Sequence, residues 1–297
     1  MPGPLVHLID GHVWIFRAYF SLPEMQAPDG TPTNAAYGFA NTLLKYLDDR
    51  NPTHLAVTFD HHPVHSFRSK LFPEYKAQRG EPPQELEPQF AICMQVAAAL
   101  GARVFEKPDY EADDLMATLA TQVLRKGASA VVVTSDKDLA QLVREDGRVR
   151  VDDFAKDEQL DADGVRGRFG VNPEQIPDYL GLVGDAVDNL PGVPGVGPKS
   201  AVAALARFGR IEDIPADFES WRGVEVRGAK RLAKLVEEHR QQALFTRQLA
   251  TVVRDVPGVK ADLRELRFGG IDRAAVEELF ARLGWDRILE RTLSRPG

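Results

Sequence analysis

An α/β fold with a largely parallel sheet is predicted from three observations. The short apolar runs Leu5 to Asp10, His54 to Asp60 and Ala130 to Asp136 have the composition of central strands buried on both faces. Helical periodicity lies between them, over Ala35 to Leu47, Phe90 to Leu100 and Glu111 to Lys126. Each run also ends in an aspartate, at the carboxyl edge where ligands bind in such sheets.

The first acids are therefore Asp10, Asp60 and Asp136. Any one of them alone could be a helix cap or a turn residue. The stretch 61–88 follows Asp60 directly. It is polar, has poor apolar periodicity, carries Arg68, Lys70, Lys76 and Arg79, and ends in Gly80-Glu81-Pro82-Pro83. A long loop rising from this edge is predicted to be functional. Phe72 and Tyr75 would give it aromatic surface for stacking on bases.

At Tyr110-Glu111-Ala112-Asp113-Asp114 three carboxylates crowd one turn at a helix start. The helix dipole accounts for one or two acids there. Three repel one another unless a cation sits among them, and hard divalent cations want several carboxylate oxygens. Ser135-Asp136-Lys137-Asp138 adds a pair after the third strand. Gly184-Asp185-Ala186-Val187-Asp188 adds two acids three apart, on one face if helical. The candidate ligands are Asp10, Asp60, Glu111, Asp113, Asp114, Asp136, Asp138, Asp185 and Asp188. They are too many for one magnesium and fit two ions, as in sites that cleave phosphoryl groups. Oxygen-only ligation points to magnesium or manganese, and no His/Cys set has zinc spacing.

Gly192-Val193-Pro194-Gly195-Val196-Gly197-Pro198-Lys199-Ser200 nearly matches a nucleotide-binding loop. Pro198 separates glycine from lysine and no strand precedes it, so nucleotide binding is rejected. What remains is a helix (Ile176 to Val183), a glycine turn and a second helix (Lys199 to Phe208). The amides of Gly195 and Gly197 lie beside a helix N-terminus, suited to a phosphate oxygen. A plain inter-helix turn is the alternative without the acids upstream. Arg227, Lys230, Arg231 and Lys234 would extend a backbone-binding surface or form a solvated face. The segment after Asp255 is expected to support the core.

Composition bounds the rest. The chain has 297 residues, 43% hydrophobic and 27% charged, with net charge −7. It is long enough for one large domain or two ordinary ones. Its acidity argues weakly against a nucleic-acid binder, but a compact cluster of metal-binding acids accounts for that sign. The single cysteine, Cys93, lies in an apolar segment, so no disulfide framework exists. No run approaches the roughly 18 apolar residues of a membrane span, and the N-terminus lacks signal-peptide features, so a cytoplasmic protein is expected.

Taken in order, these motifs resemble the flap endonuclease/5′–3′ exonuclease family, most closely the 5′-nuclease domain of bacterial DNA polymerase I. The resemblance runs from about Leu5 to at least Leu249. It is carried by Asp10-Gly11 with Arg17-Ala18-Tyr19, Phe59-Asp60, Ser66-Phe67-Arg68 with Tyr75-Lys76, and Glu111-Ala112-Asp113-Asp114. It continues through Ser135-Asp136-Lys137-Asp138-Leu139, Gly184 to Asn189 and the Gly192 to Lys199 turn. With 297 residues there is no room for a polymerase, so a stand-alone exonuclease is expected.

The resemblance implies a PIN-like three-layer core over 1–170 with a helical arch at about 61–88. A helix-three-turn-helix region and C-terminal helices would occupy 171–297. Two or more magnesium or manganese ions are implied, with potassium at the glycine turn. Asp10, Asp60, Glu111 and Asp113 would hold one ion. Asp136, Asp138 and Asp185 would hold another, with Asp114 and Asp188 assisting. Lys76, Arg79, Arg68 and Arg17 would hold the scissile phosphate. Tyr75, Gly192, Gly195, Gly197 and Lys199 would contact DNA carrying 5′ flaps, nicks or 5′ ends. A monomer acting in replication or repair is implied. A PIN-type ribonuclease and a non-catalytic branched-DNA binder are the competing readings. The first would lack the arch and the helix–hairpin–helix, and the second would need a lost acid.

Overall fold

A computed structural model describes residues 3–62, 65–224, 226 and 228–295. The strands are β1 (Leu5–Asp10), β2 (His54–Asp60), β3 (Arg103–Lys107), β4 (Ser129–Val133), β5 (Val149–Asp153) and β6 (Glu158–Leu160). They form one six-stranded sheet in the order β3-β2-β1-β4-β5-β6. All pairings are parallel except β5 with the short edge strand β6. The apolar runs that announce β1, β2 and β4 occupy the sheet centre, where both faces are covered. Three strands have no such run. β3 and β6 are edge strands with exposed polar residues, and β5 carries Arg150, Asp152 and Asp153.

The helices are α1 (Gly11–Ser21), α2 (Asn34–Arg50), α3 (Phe67–Leu71), α4 (Glu87–Ala99), α5 (Ala112–Arg125), α6 (Ala162–Phe169), α7 (Ile176–Val183), α8 (Pro198–Phe208), α9 (Ala229–Glu238), α10 (Arg240–Ala250), α11 (Arg273–Arg282) and α12 (Asp286–Leu293). One apolar core packs α1, α2, α4, α11 and α12 against one sheet face. The other buries α5 against the opposite face and runs on without a break through α7, α8, α9 and α10. The stretch after Asp255 returns to the sheet. Leu55 N–H bonds to Leu266 O at 2.8 Å, and Asp272 N–H bonds to Ala99 O at 2.9 Å. The segment after Asp255, expected to support the core, thus packs back against the sheet.

The order in which strands are added reverses between β1 and β4, since β2 and β3 lie to one side and β5 and β6 to the other. The carboxyl ends of β1 and β4 therefore flank the topological switch point of the sheet, the usual place for a ligand crevice. Asp10 ends β1 there, and Thr134, Ser135 and Asp136 follow β4.

Two local expectations change. Asp185 and Asp188 do not share a helix face. They lie on a turn closed by Asp185 N–H to Leu190 O at 2.9 Å and Leu190 N–H to Asp185 O at 2.7 Å. Nor is 65–88 a plain solvated loop. It holds α3 and a 3-10 turn (Ala77–Arg79), and it buries Arg68, Tyr75, Lys76 and Leu86. Its longest stretch without a buried residue is 77–85.

Candidate active site

A cavity of about 510 Å³ opens over the switch point. Asp10, Asp60, Glu111, Asp113 and Asp136 line it, with Lys76 and Arg79 on one wall and Phe16 and Phe20 on another. The local fold explains each acid. Asp10 is the N-cap of α1, accepting from Val13 N–H at 3.3 Å, and its other oxygen accepts from Thr134 Oγ1 at 2.9 Å. Asp60 accepts from Ala112 N–H at 2.6 Å, which ties the end of β2 to the start of α5. Glu111 precedes that helix and is nearly buried. It accepts from Ser66 Oγ at 2.7 Å, Lys76 Nζ at 2.6 Å and Tyr75 OH at 3.2 Å.

A second group continues from Asp136. Asp138 is its near neighbour, and Asp138 Oδ1 is buried without a hydrogen-bond partner. Asp185 accepts from Val187 N–H at 2.8 Å and lies 2.9 Å from Lys137 Nζ. Asp188 accepts from Arg79 Nη2 at 2.6 Å and from Tyr75 OH at 3.1 Å.

The electrostatics show too little positive charge for so many acids. Burial, then the Asp60 carboxylate, pushes Asp10 up to about 7. Burial, then Asp136, Asp185 and Asp188, pushes Asp138 up to about 8. Asp113 is raised well above the ordinary range by burial, then by Asp136 and Asp10, and burial also raises Asp136. Glu111 is the exception. Burial alone would raise it, but Lys76 and then Arg68 outweigh that and hold it near 2.

As the side chains lie, no group of three or more His, Cys, Asp or Glu among the described residues stands ready to hold an ion. Lys76, Lys137 and Arg79 pair with Glu111, Asp185 and Asp188. The donor set still fits a hard divalent cation. It is all oxygen, it includes an unpartnered buried carboxylate oxygen, and its like charges raise one another's pKa.

Four expected roles are corrected. Asp114 is fully buried and bound by Arg68 on both oxygens at 2.7 Å, by Val253 N–H at 2.8 Å and by Glu111 N–H at 3.2 Å, leaving nothing for an ion. Arg68 is equally committed: its Nε donates to Leu249 O at 2.7 Å and its Nη2 to Thr251 O at 3.1 Å. This pair fastens α3 and α5 to the chain leaving α10. Tyr75 is buried with its hydroxyl bonded to Glu111 and Asp188, so its ring cannot stack on a base. Arg17 is exposed on α1 and does not line the acid-lined cavity. It lines a separate groove of about 1020 Å³ with Asn41, Lys45 and Arg50.

The glycine turn joins α7 to α8. Gly195 (φ +80°), Gly197 and Lys199 are exposed, while Val193 and Val196 are buried and anchor the turn. Gly192 has a packing requirement of its own. A Cβ there would sit 2.3 Å from the Val183 carbonyl carbon, so its role is close packing on the end of α7. Lys230, Arg231 and Lys234 are exposed on α9, and Arg231 reaches the surface beside Gly195. Arg227 lies outside the described residues.

Some functional residues escaped the sequence reading. Lys137 pairs with Asp185, Thr134 holds Asp10, and Ser66 holds Glu111. Phe20 is 74% exposed on the cavity wall. His12 accepts from Asp60 N–H at 3.1 Å and stacks on Phe90. The Gly11-His12 pair after a strand-end acid was the only signal for His12.

Comparison with known proteins decides the family. Residues 5–170 match the model for the 5′–3′ exonuclease, N-terminal resolvase-like domain, and residues 171–274 match that for the 5′–3′ exonuclease, C-terminal SAM fold. The chain belongs to the 5′–3′ exonuclease family.

Among family relatives, the 5′–3′ exonuclease of Aquifex aeolicus (strain VF5) is 39% identical over 216 residues, covering 73% of this chain and 74% of that protein. DNA polymerase I of Bacillus caldotenax is 39% identical over 288 residues, covering 96% of this chain and 32% of that protein. The chain thus spans about a third of the length of the DNA polymerase I relatives it matches. Among solved structures, T5 5′-exonuclease with bound zinc superposes with a TM-score of 0.65 at 18% identity, covering 97% of this chain and 96% of that one. The catalytic core of Rad2 in complex with a DNA substrate gives 0.64 at 17%, covering 98% and 92%. These likenesses show the fold: a resolvase-like, PIN-like core with a mainly parallel sheet and a SAM-like helical region.

Proposed function

We propose that this 5′–3′ exonuclease family member hydrolyses phosphodiester bonds of DNA at 5′ ends, flaps and nicks, as a step in replication or repair. The observation that carries the reading is the gathering of Asp10, Asp60, Glu111, Asp113 and Asp136 around one cavity that Lys76 and Arg79 also line, with Asp138 close enough to Asp136 and Asp185 for their charges to interact. Asp10, Asp60, Glu111 and Asp113 would hold one divalent ion, magnesium or manganese, and Asp136, Asp138 and Asp185 a second. Such ions, when bound, lower the pKa of a water and neutralise charge on the leaving oxygen. The T5 relative was solved with divalent metal ions, and T5 and Rad2 neighbours with DNA, which supports both partners.

The chain's own residues supply the rest. Lys76 and Arg79 stand on the cavity wall facing the acids, placed to receive a phosphate and offset its developing charge. Phe16 and Phe20 present an apolar face at the mouth. The exposed amides of Gly195 and Gly197, with Lys199 and the basic side of α9, form a surface for duplex backbone, and the same turn would take a potassium ion. The stretch 80–83 lines the cavity and would favour single strands with a free 5′ end.

The deciding assay offers a labelled 5′-flap DNA, its RNA counterpart and a 3′-flap DNA with magnesium. Release of the 5′ DNA flap alone is expected. RNA cleavage would favour a PIN-type ribonuclease, and binding without cleavage would favour a branched-DNA binder. Lys199→Ala should weaken duplex binding equally across sequences and lower the salt slope by about one unit. A sequence-dependent loss, read by fluorescence anisotropy, would mean base contacts instead.

A further inference from the structure

The base of the 61–88 stretch is bound to the turn that carries Asp185 and Asp188. Gln78 Nε2 donates to Ala186 O at 3.2 Å and to Val187 O at 2.8 Å. Asn189 Nδ2 donates back to Glu74 O at 2.7 Å. Between them, Lys76 N–H bonds to Asp188 O at 3.1 Å. The two facing segments each hold one non-glycine residue in the left-handed region, Lys76 at φ +55° and Asn189 at φ +55°. Such a conformation costs roughly 1–3 kcal/mol and persists only where surrounding contacts enforce it. Asparagine adopts it more readily than lysine.

We propose that Gln78 and Asn189 are positioning residues: they clasp the segment bearing Lys76 and Arg79 to the turn bearing Asp185 and Asp188. The two halves of the site come from distant parts of the chain. Lys76 and Arg79 follow β2, whereas Asp185 and Asp188 lie beyond α7, at the entrance to the glycine turn. They meet through the Lys76 N–H to Asp188 O bond rather than through a shared helix or strand. The ion pairs between them, Arg79 with Asp188 at 2.6 Å and Lys76 with Asp188 at 3.8 Å, use groups that the substrate and divalent ions would claim. Contacts that survive that exchange must come from elsewhere. The amides of Gln78 and Asn189 bond only to backbone carbonyls, so they keep the spacing when the charged partners change. The same clasp links the 61–88 stretch to the duplex-binding turn that begins at Gly192.

The inference rests on the nuclease reading for its rate arm only. The test compares the parent with Gln78→Ala/Asn189→Gly, in which glycine keeps the positive φ and removes the donor. Both side chains bond at exposed positions, so a folded variant is expected and is checked by circular dichroism. Trypsin cuts after lysine and arginine, and both Lys76 and Arg79 lie in the clasp. The double variant should be cut after Lys76 and Arg79 in the absence of DNA, where the parent resists. Its single-turnover flap cleavage should fall about tenfold or more, since a displacement of an ångström at such a site costs up to 100-fold. Its flap dissociation constant in calcium should stay at the parental value, because Lys199 and the glycine turn are untouched. A folded variant with the parental trypsin pattern and parental rate overturns the proposal, and so does a parent cut readily after Lys76. A parent without flap cleavage would overturn the nuclease reading, while the trypsin comparison would still decide the clasp.

Discussion

The Asp113→Asn variant is expected to melt at a higher temperature than the parent when metal-free, and with magnesium to cleave about a thousandfold more slowly. Asp113 is raised by burial and by the charges of Asp136 and Asp10, so its ionised form is a cost to the metal-free fold. An amide of the same shape removes that repulsion. It is also a poorer ligand for a hard cation, and losing several kcal/mol of charge stabilisation corresponds to about three powers of ten in rate. A group with only a structural role would show the reverse pattern, lower stability with turnover intact.

The same repulsion sets a pH dependence. Asp10 titrates near 7 and Asp138 near 8 in the folded chain, against an ordinary value of 3.8. Between pH 4 and 8 the folded state therefore holds protons that the unfolded state has lost. Stability of the metal-free protein should fall as pH rises through that window. Glu111 contributes oppositely: its pKa near 2 gives stability that is present above its unfolded value of 4.5 and lost as pH falls toward 2. Divalent ions should flatten the loss on the alkaline side. Thermal melts with and without magnesium read both effects, and stability that rises from pH 5 to 8 without metal would contradict the account.

Lys76→Ala should show the opposite stability sign, again with a loss of turnover. Lys76 is nearly buried and sits 2.6 Å from Glu111, whose carboxyl it helps hold near 2. Removing one partner of a buried pair leaves the other uncompensated, which costs about 3–5 kcal/mol in fully buried cases. Arg68 at 3.5 Å and Ser66 remain on Glu111, so the lower end of that range is expected in urea unfolding. Loss of a cation aimed at developing charge should slow cleavage by about 100-fold or more. Parental turnover in a folded Lys76→Ala chain would remove Lys76 from the chemistry.

The features that were legible in the sequence share a cause. Asp10, Asp60 and Asp136 terminate apolar strands, and Glu111 and Asp113 start an amphipathic helix, so local pattern alone places them at one edge. The glycine turn was legible because its glycines bracket two helices. The misread residues were decided by contacts between distant parts of the chain. Asp114 looks like its neighbour Asp113, but the helix turns it toward Arg68 and Val253. Arg68 is fixed by the carbonyls of Leu249 and Thr251, roughly 180 residues away. Tyr75 looks like an exposed aromatic until the Asp185–Leu190 turn closes over it. No spacing rule reveals such partners. β3, β5 and β6 were missed for a different reason: their polar residues give no continuous apolar run.

The central claim is that these carboxylates lack a counter-ion that a divalent cation supplies. Calorimetric titration of manganese into the metal-free protein at pH 7, repeated in two buffers of different ionisation enthalpy, tests it most directly. Asp10 and Asp138 hold protons near neutrality, and a ligating carboxylate must release them. The account predicts saturable binding with protons released to the buffer, and weaker binding to Asp113→Asn. Absence of binding, or binding whose heat is the same in both buffers, would contradict it.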